Sequence, residues 1–274
     1  MQKSKIYYDS SKRGLAIWEE FKELLRYRDL LLILIINNIK SRYKRSTFGI
    51  LWTMLNPLLY MTVMTIAFSH LLRMQITNYP VYLLTGLIAW NFFSQTTTQA
   101  MGTLLWGGAL LKRIYIPRTI FAVAAVGSGI INLLLSCIPL VLIMLITHQP
   151  LYLTWWFLPI SILILAGVSL GVALILSMIA IFFADIAELY QVLLQATFYL
   201  TPIMYPETIL PEKIQRFIML NPIYDVVKVF RGPIYDGNLP SIYSLCTALF
   251  STVIVLLFGW WFFTRRADQI SYRV

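Results

Sequence analysis

The stretch that decides the fold is residues 155–183, WWFLPISILILAGVSLGVALILSMIAIFF, in which no residue carries a charge. A helix needs about 20 apolar residues to cross the hydrocarbon core of a bilayer, so this stretch is long enough to span a membrane. It lacks the alternation of apolar and polar residues that is typical of a barrel strand. Because backbone groups in lipid must pair within their own segment, we interpret it as a transmembrane helix.

Five other stretches have the same character, and the composition of the whole chain agrees with them. Hydrophobic residues make up 59% of the 274 residues, charged residues make up 12%, and the mean hydropathy is +0.73. An average soluble domain has about 25% charged residues. We therefore predict an all-α integral membrane protein with six transmembrane helices. The predicted spans are 48–72, 80–105, 119–147, 155–183, 187–204 and 241–263.

Lys and Arg are distributed asymmetrically about these spans. With a cytoplasmic N-terminus, 17 of the 22 Lys and Arg residues fall in cytoplasmic segments, and 11 of them precede the first span. Cytoplasmic segments of membrane proteins are enriched in these residues. Both termini of this multi-pass chain are therefore predicted to be cytoplasmic. The topology also accounts for the net charge of +10, so nucleic acid is not an expected partner.

Residues 1–45 form a predicted cytoplasmic N-terminal region with an amphipathic helix. Apolar residues, Trp18 and Phe21 among them, recur at helical spacing, and charged residues occupy the other face. A basic cluster follows at residues 40–45. The pattern is typical of a helix that lies in the membrane interface, and a merely solvated helix is the alternative. The transmembrane domain covers residues 46–265, and residues 266–274 are a cytoplasmic tail.

The segment 198–240 differs from the spans because it holds six of the twelve prolines and apolar patches too short to cross a bilayer. We interpret it as an extracytoplasmic re-entrant gate, with Pro202 among its candidate residues. Two short half-helices are expected in it, separated at Asn221 and Pro222. Non-helical backbone at membrane depth is tolerated only where protein or a water-filled cavity covers it. An ordinary extracytoplasmic loop is the alternative.

The predicted cytoplasmic loop 107–119 is rich in polar and conformationally special residues. Charge anchoring at the membrane surface accounts for its basic residues, but not for its two glycines, its tyrosine and its proline. A surface that docks a cytoplasmic partner accounts for both. The candidate docking residues are Lys112, Arg113, Tyr115, Pro117 and Arg118.

The sequence offers no motif for catalysis, metal binding or nucleotide binding. It has no G-x-x-x-x-G-K-[ST] phosphate loop, no H-E-x-x-H and no G-x-S-x-G. His70 and His148 are isolated, so no metal site is expected. Asp185 and Glu188 lie at a predicted cytoplasmic boundary, where water solvates them and a helix start accommodates acids. We therefore expect no catalytic residue and no cofactor on this chain, and another chain would have to supply energy for transport.

Aromatic residues make up 15% of the chain, and several fall deep within the predicted spans. Aromatic rings can stack on the apolar faces of sugars, and a sliding polymer needs such weak, repeated contacts, as an ion needs binding sites that are easy to leave. Packing between helices is the alternative for each residue. The candidates for a substrate path are Trp52, Tyr60, Trp90, Phe93, Tyr190 and Tyr199.

Four stretches resemble, in order, parts of ABC-2 type permeases that export cell-surface polysaccharides. They are SRYKRSTFGILWTMLNPL (41–58), LKRIYIPRTIF (111–121), FYLTPIMYP (198–206) and LNPIYDVVKVFR (220–231). The resemblance covers about residues 40–265, nearly the whole chain. One position departs from it. The family often has Arg before the Asp of the turn between the fourth and fifth spans, where this chain has Ala184, so no role of that arginine carries over.

The resemblance implies a homodimer in the bacterial cytoplasmic (inner) membrane that works with two cytoplasmic ABC ATPase subunits, which bind ATP and Mg²⁺. Its cargo would be lipid-linked polysaccharide: O-antigen, capsule or teichoic acid. Residues 107–119 would contact the ATPase, the 15–45 helix with Trp18 and Phe21 would be a cytoplasmic gate, and residues 203–235 would form the re-entrant gate. Two alternatives stay open, an ABC-2 permease for a drug or small amphiphile and a membrane-embedded glycosyl- or acyltransferase.

Replacing Tyr115 or Arg118 with Ala is expected to uncouple ATP hydrolysis from export without unfolding the protein, because the ATPase would lose a docking contact. Export and stimulated ATPase activity, measured on the same membranes, check this expectation. If both stay normal in the variants, the coupling assignment is wrong.

Overall fold

The computed structural model describes residues 16–68, 76–111, 116–183, 185–219 and 221–273. Within those ranges the protein is helical and has no strand, which confirms the all-α prediction for them. Short 3-10 turns lie at Gly49–Leu51, Leu153–Phe157 and Glu207–Ile209, and a π-helical turn lies at Gly232–Asp236. The helices are α1 (Ala16–Arg26), α2 (Arg28–Tyr43), α3 (Trp52–Ile66), α4 (Tyr79–Leu111), α5 (Ile120–Ile146), α6 (Leu158–Phe182), α7 (Ile186–Leu200), α8 (Glu212–Ile218), α9 (Pro222–Arg231) and α10 (Ile242–Arg273).

Four segments of the described chain are long and apolar enough to cross a bilayer. Each coincides with a predicted span, and they are Gly49–Ile66, Ile120–Ile146, Leu153–Phe182 and Ile242–Arg266. The other two predicted spans, 80–105 and 187–204, correspond to α4 and α7. α4 has 33 residues but carries a run of polar side chains, and α7 has only 15 residues. Length and composition therefore identify four of the six predicted spans.

The N-terminal region contains two helices where the sequence predicts one amphipathic helix. The break falls at Tyr27, between α1 and α2. α1 has separate polar and apolar faces, whereas α2 leaves apolar side chains such as Leu32 and Ile33 more than half exposed. α2 docks on the bundle at Gly127 of α5, where an added Cβ would lie 2.6 Å from Cδ1 of Ile35.

α4 lies at the centre of the bundle and packs against α3, α5, α6 and α9. The first half of α4 is almost completely buried, with Val81, Leu83, Leu84 and Ala89 each 0% exposed. A 33-residue helix that is covered on several sides leaves only a narrow strip open. The side chains on that strip therefore decide what the interior of the bundle offers to a ligand.

α6 and α10 cross in direct backbone contact. A Cβ added to Gly171 of α6 would lie 2.6 Å from the carbonyl oxygen of Val255, and a Cβ added to Gly259 of α10 would lie 2.3 Å from the carbonyl oxygen of Gly171. One turn earlier on α6, a Cβ on Gly167 would lie 2.7 Å from the methyl group of Thr252. Small residues at such crossings let membrane helices approach closely and gain packing energy.

The segment after α7 contains little regular structure until α8 and α9. Asn221 ends the turn between these two short helices, and its side-chain oxygen accepts a hydrogen bond from the backbone N–H of Ile223 at 3.0 Å. Pro222 occupies the first turn of α9, where its missing N–H costs nothing. The protein therefore has the two short helices that the sequence predicts on either side of Asn221 and Pro222.

Replacing Gly259 with Ala is expected to destabilise the protein by about 1–3 kcal/mol, because the new methyl group would meet backbone atoms that cannot rotate away. The unfolding temperature in detergent is the measurement. Gly102→Ala in α4 is the matched control, since nothing lies within 4 Å of the added Cβ. Equal unfolding temperatures for the two variants would contradict the close crossing of α6 and α10.

Candidate functional site

One face of α4 carries a stripe of uncharged polar side chains. Residues spaced three and four apart lie on the same face of a helix, and the intervening residues are buried against neighbouring helices. The half-buried members of the stripe are Asn91, Ser94, Gln95, Thr98 and Gln99. The stripe therefore presents amides and hydroxyls along about two turns of the central helix.

Three adjoining cavities follow this stripe, and we call them together the α4 groove. The aromatic cavity, about 400 Å³, lies between α3, α4 and α7. The amide cavity, about 90 Å³, lies between α3, α4 and α5, and the mouth cavity, about 490 Å³, lies between α2 and α4. Asn56 and Asn91 border both the aromatic and the amide cavity. Arg42 and Gln99 border both the amide and the mouth cavity, and Gln95 borders all three.

The aromatic cavity is framed by three rings. Tyr60 and Trp90 both approach Phe198 of α7, with ring centroids 6.3 and 5.4 Å away from its ring. The two rings differ in exposure, because Tyr60 is 40% exposed and Trp90 is 6% exposed. Tyr60 therefore offers ring surface to an occupant of the cavity, whereas Trp90 mainly packs and contributes an edge. Asn91 and Gln195 supply amides beside the rings.

The amide cavity contains an unused hydrogen-bond acceptor. Asn132 of α5 is only 8% exposed, and its side-chain oxygen has no hydrogen-bond partner among the described residues. The neighbouring Ser136 hydroxyl is already engaged, because it donates to the carbonyl oxygen of Asn132 at 2.9 Å. Buried polar atoms in proteins are nearly always paired, so the Asn132 oxygen is suited to accept from a hydroxyl group or water in the cavity.

The α4 groove has a single charged side chain among its described lining residues. Of the described residues that line the three cavities, Arg42 alone carries a charge, and it stands at the mouth cavity with Asn38 and Ser41. The groove holds no pair of carboxylates and no nucleophile with a neighbouring base among these residues. It can exchange hydrogen bonds with hydroxyl groups and stack on ring faces, and it has no arrangement for covalent chemistry.

Four of the six aromatic residues predicted to line a path lie at or near the groove. Trp52 borders the amide cavity, and Tyr60 and Trp90 border the aromatic cavity. Tyr199 is 54% exposed and packs edge-on against Phe198 at 5.5 Å. Trp52, Tyr60 and Tyr199 are exposed enough to contact an occupant of the groove, whereas Trp90 is mainly a packing residue.

The other two predicted path residues are buried between helices. Phe93 is 5% exposed and packs 5.9 Å from the ring of Trp90. Tyr190 of α7 is 7% exposed, and its hydroxyl donates to Oγ1 of Thr97 at 2.7 Å. Tyr190 thereby fixes α7 against the buried face of α4, and both residues support the wall of the groove from behind.

The amides that line the groove were not among the predicted site residues. The signal was present in the chain, because Asn91, Gln95 and Gln99 stand four residues apart inside a predicted span that has no charged residue. Such spacing places three amides on one face of a helix. Asn56 and Asn132 have no comparable pattern, and only the packing of α3 and α5 against α4 brings them to the same cavity.

The predicted coupling loop is only partly within the described residues. Lys112, Arg113 and Tyr115 lie outside them. Pro117 and Arg118 form the turn that leads into α5, and Pro117 accepts the backbone N–H of Ile120 at 3.1 Å through its carbonyl oxygen.

α1 lies beside this turn. The carboxyl of Glu20 is buried against Thr119, the residue before α5, and this burial raises the pKa of Glu20 to about 7, while the interaction with Thr119 acts in the opposite direction. α1 also contacts α10. The N-terminal helix is therefore in place next to the start of α5. Trp18 and Phe21, its predicted gate residues, have side chains outside the described residues.

A second polar cluster lies within the segment predicted to form the extracytoplasmic gate. Glu207 accepts hydrogen bonds from the Tyr224 hydroxyl and from Lys228, whose Nζ lies 3.1 Å from Oε1. Burial alone would raise the pKa of Glu207, but the hydrogen bonds from Tyr224 and Lys228 outweigh it and hold the pKa below its ordinary value. Asn221 donates to Oγ1 of Thr201 at 2.9 Å and so ties the start of α9 to the end of α7.

Comparison with known proteins agrees with the resemblance drawn from the sequence. Residues 29–235 match the ABC-2 type transporter family. The O-antigen export system permease protein RfbA of Klebsiella pneumoniae is 29% identical over 83% of this chain and 88% of its own length. RfbA of Myxococcus xanthus is 28% identical over 91% and 97% of the two chains. The polysialic acid transport protein KpsM of Escherichia coli is 24% identical over 86% and 93%.

Ala substitutions of Trp90 and of Tyr60 are expected to distinguish a residue that packs between helices from one that lines the aromatic cavity. Trp90→Ala should destabilise the protein by about 3 kcal/mol, because it leaves a void beside Phe93 and Phe198. Tyr60→Ala should lower stability much less, since the ring is 40% exposed. Unfolding temperatures of the two variants in detergent test the contrast, and equal losses would mean that Tyr60 is also a packing residue.

Proposed function

Because this chain belongs to the ABC-2 type transporter family, we propose that it is the transmembrane permease subunit of an ATP-driven exporter of lipid-linked cell-surface polysaccharide. The names of its relatives support this cargo, since the RfbA proteins are O-antigen export permeases and KpsM is a polysialic acid transport protein. O-antigen is the cargo that we favour, because the RfbA proteins are the more similar relatives. Capsule and teichoic acid are the related cargoes.

The α4 groove is the observation that carries this proposal. A polysaccharide presents many hydroxyl groups and the apolar faces of its sugar rings. The stripe of amides and hydroxyls on α4 can exchange hydrogen bonds with the hydroxyl groups, and Tyr60 can stack on ring faces. Neutral hydrogen bonds are individually weak, at about 1 kcal/mol each. A row of such contacts lets a polymer advance from one to the next without being held, as conduction requires sites that are easy to leave.

A second copy of the chain is the proposed cover for the groove. The groove is open on the side of α3 and α7, where large apolar side chains such as Leu59 and Val63 of α3 and Val192 of α7 are more than half exposed. Lipid could cover these apolar side chains, but it cannot satisfy Asn56, Asn91 and their neighbours. A homodimer formed across α3 and α7 would cover both surfaces and close the groove into a channel.

The proposed topology has six spans in the bacterial cytoplasmic (inner) membrane and two cytoplasmic termini. In this topology α4 and α7 are two further spans, in addition to the four that length and composition identify. The polar stripe explains why α4 has lower hydropathy than the others, and burial within a dimer explains how it can still cross the bilayer. α8 and α9 form the re-entrant gate on the extracytoplasmic side, with Pro202, Asn221 and Pro222 at its turns.

Two cytoplasmic ATPase subunits, with their own ATP and Mg²⁺, are the proposed source of energy. They would dock on residues 107–119, of which Pro117 and Arg118 form the turn before α5. α1 would act as the cytoplasmic gate through Trp18 and Phe21. Its contact with Thr119 through Glu20 would link that gate to the docking loop. ATP hydrolysis can shift the permease only if the ATPase states bind its conformations with different affinity.

Deleting the gene and restoring it with variants tests the proposal. The deletion strain is expected to make polymer but to hold it on the cytoplasmic side as lipid-linked material. The unmodified chain should restore surface polysaccharide. Gln95→Met/Gln99→Met should lower surface polysaccharide about thirtyfold, because two neutral hydrogen bonds of about 1 kcal/mol each are lost. Gln95→Asn/Gln99→Asn is the matched control, which keeps both amides and should retain most of the export.

The other outcomes of this experiment decide between the alternatives. Normal surface polysaccharide without trapped polymer in the deletion strain would favour a permease for a drug or small amphiphile. Loss of polymer synthesis itself would favour a transferase. Trapped polymer in the deletion strain together with normal export by a stable Gln95→Met/Gln99→Met variant would support the exporter and exclude these amides from the path.

A further inference from the structure

The chain between α7 and the following 3-10 turn crosses the bundle as non-helical backbone, and four consecutive carbonyl groups in it are capped by side chains. Arg231 donates through Nη1 to the oxygen of Pro202 and through Nη2 to the oxygen of Ile203, both at 3.0 Å. Tyr79 and Tyr82 of α4 cap the next two carbonyl oxygens, those of residues 204 and 205, at 2.8 and 3.0 Å. We call residues 201–205 the break.

Arg231 is the central member of this arrangement. It stands at the last residue of α9 and is buried, with 8% exposure. Its guanidinium lies over the ring of Tyr82, with Cζ 3.9 Å from the ring centroid. On the other side it fills the space that Gly86 leaves open, since a Cβ there would lie 2.2 Å from Nη2. The guanidinium thus lies over the Tyr82 ring, packs against Gly86 and donates to two carbonyl oxygens.

Because the Arg231 guanidinium is buried, its interactions depend strongly on the position of the break. A buried guanidinium requires partners, because removing it from water is costly unless its donors are satisfied. Hydrogen bonds from a charged donor are roughly twice as strong as neutral ones. If the break moved away from α9, the carbonyl groups of Pro202 and Ile203 would lose their charged donor, and the buried guanidinium would lose both of these acceptors. The arrangement therefore favours one position of the break strongly over others.

We propose that Arg231 is the positioning residue that holds the break in its closed position, so that the extracytoplasmic gate opens only when α9 and its guanidinium separate from the break. This inference rests on the proposed function, because it assigns the break to the gate. The planar fork of Arg is required, since Lys offers a point charge that cannot donate to two adjacent carbonyl groups in fixed geometry.

Two variants disturb the contact between Arg231 and the break from opposite sides. Arg231→Lys keeps the charge and removes the fork. Gly86→Ala keeps the arginine and places a methyl group against Nη2. Both should raise the population in which the break is open by about tenfold or more, which is the effect of losing a hydrogen bond to a charged group. Gly102→Ala on the same helix meets no atom within 4 Å and is the matched control.

The readout is the rate at which a membrane-impermeant maleimide labels a cysteine at the break. Met204→Cys is the probe, because Met204 is 4% exposed in the closed position, and Cys137 and Cys246 are first replaced with Ala. The full-length chain is labelled in intact cells together with its partner subunits. Met144→Cys, buried at 0% exposure near the same end of the bundle, reports general loosening of the fold.

We expect labelling of residue 204 to become about tenfold faster in Arg231→Lys and in Gly86→Ala. The double variant should add little, since both changes break the same contact. Labelling in Gly102→Ala and labelling of residue 144 should stay at the original rates. Faster labelling of residue 144 in both variants would mean that Arg231 only stabilises the fold and would overturn the proposal, as would unchanged labelling of residue 204 in the folded variants.

Surface polysaccharide, measured on the same cells, distinguishes failure of the proposed function from failure of the proposed role of Arg231. If the unmodified chain exports polysaccharide and the variants leave labelling unchanged, the proposed role of Arg231 is wrong and the proposed function stands. If the unmodified chain exports no polysaccharide, the proposed function fails, and the labelling rates still decide whether Arg231 holds the break.

Discussion

In the proposed six-span topology α4 crosses the hydrocarbon core of the bilayer, where every polar group must find a partner inside the protein, and this constraint accounts for the central position of α4. A helix with amides at Asn91, Gln95 and Gln99 would be costly against lipid. α4 is accordingly surrounded by α3, α5, α6 and α9, and it turns its polar stripe toward the α4 groove. The residues that require α4 to be central are the same ones that line the groove. Packing and the proposed transport path therefore depend on one set of side chains.

The same constraint operates at the break, where the polar groups belong to the backbone. Between the end of α7 and the next turn, the carbonyl groups have no helical partners, and side chains of α4 and α9 supply them. An ordinary surface loop could have exposed these groups to water at little cost. Capping by buried side chains instead fixes the break in one place. The bundle is thus specified by how it satisfies polar atoms as much as by apolar burial.

The sequence predicts the apolar part of this fold well and the polar part poorly. The predicted spans 119–147 and 155–183 agree closely with α5 and with the segment that ends in α6, because long apolar runs have clear ends. The end of α1 and the start of α2 at Tyr27 are not marked by a typical turn residue, and they depend on how these helices dock against the bundle. The aromatic content predicts a path lined by rings, whereas the groove also carries a row of amides that the prediction did not include. Arg231 lies in the segment 198–240, and the sequence does not predict its burial, because that burial depends on Gly86 and Tyr82, which lie far away in the chain.

The length of α4 suggests how distant parts of such a permease could act together. Its 33 residues extend over roughly 50 Å at about 1.5 Å per residue. Tyr79 and Tyr82 near its start hold the break, its middle forms the wall of the groove, and its last turn enters the loop 107–119. Its single proline, Pro80, lies in the first turn, so the helix has no proline-induced kink beyond it. A displacement at the loop would therefore shift the groove wall and the two tyrosines as one body. Coupling of the proposed docking surface to the gate then requires a rigid helix and no chain of intermediate loops.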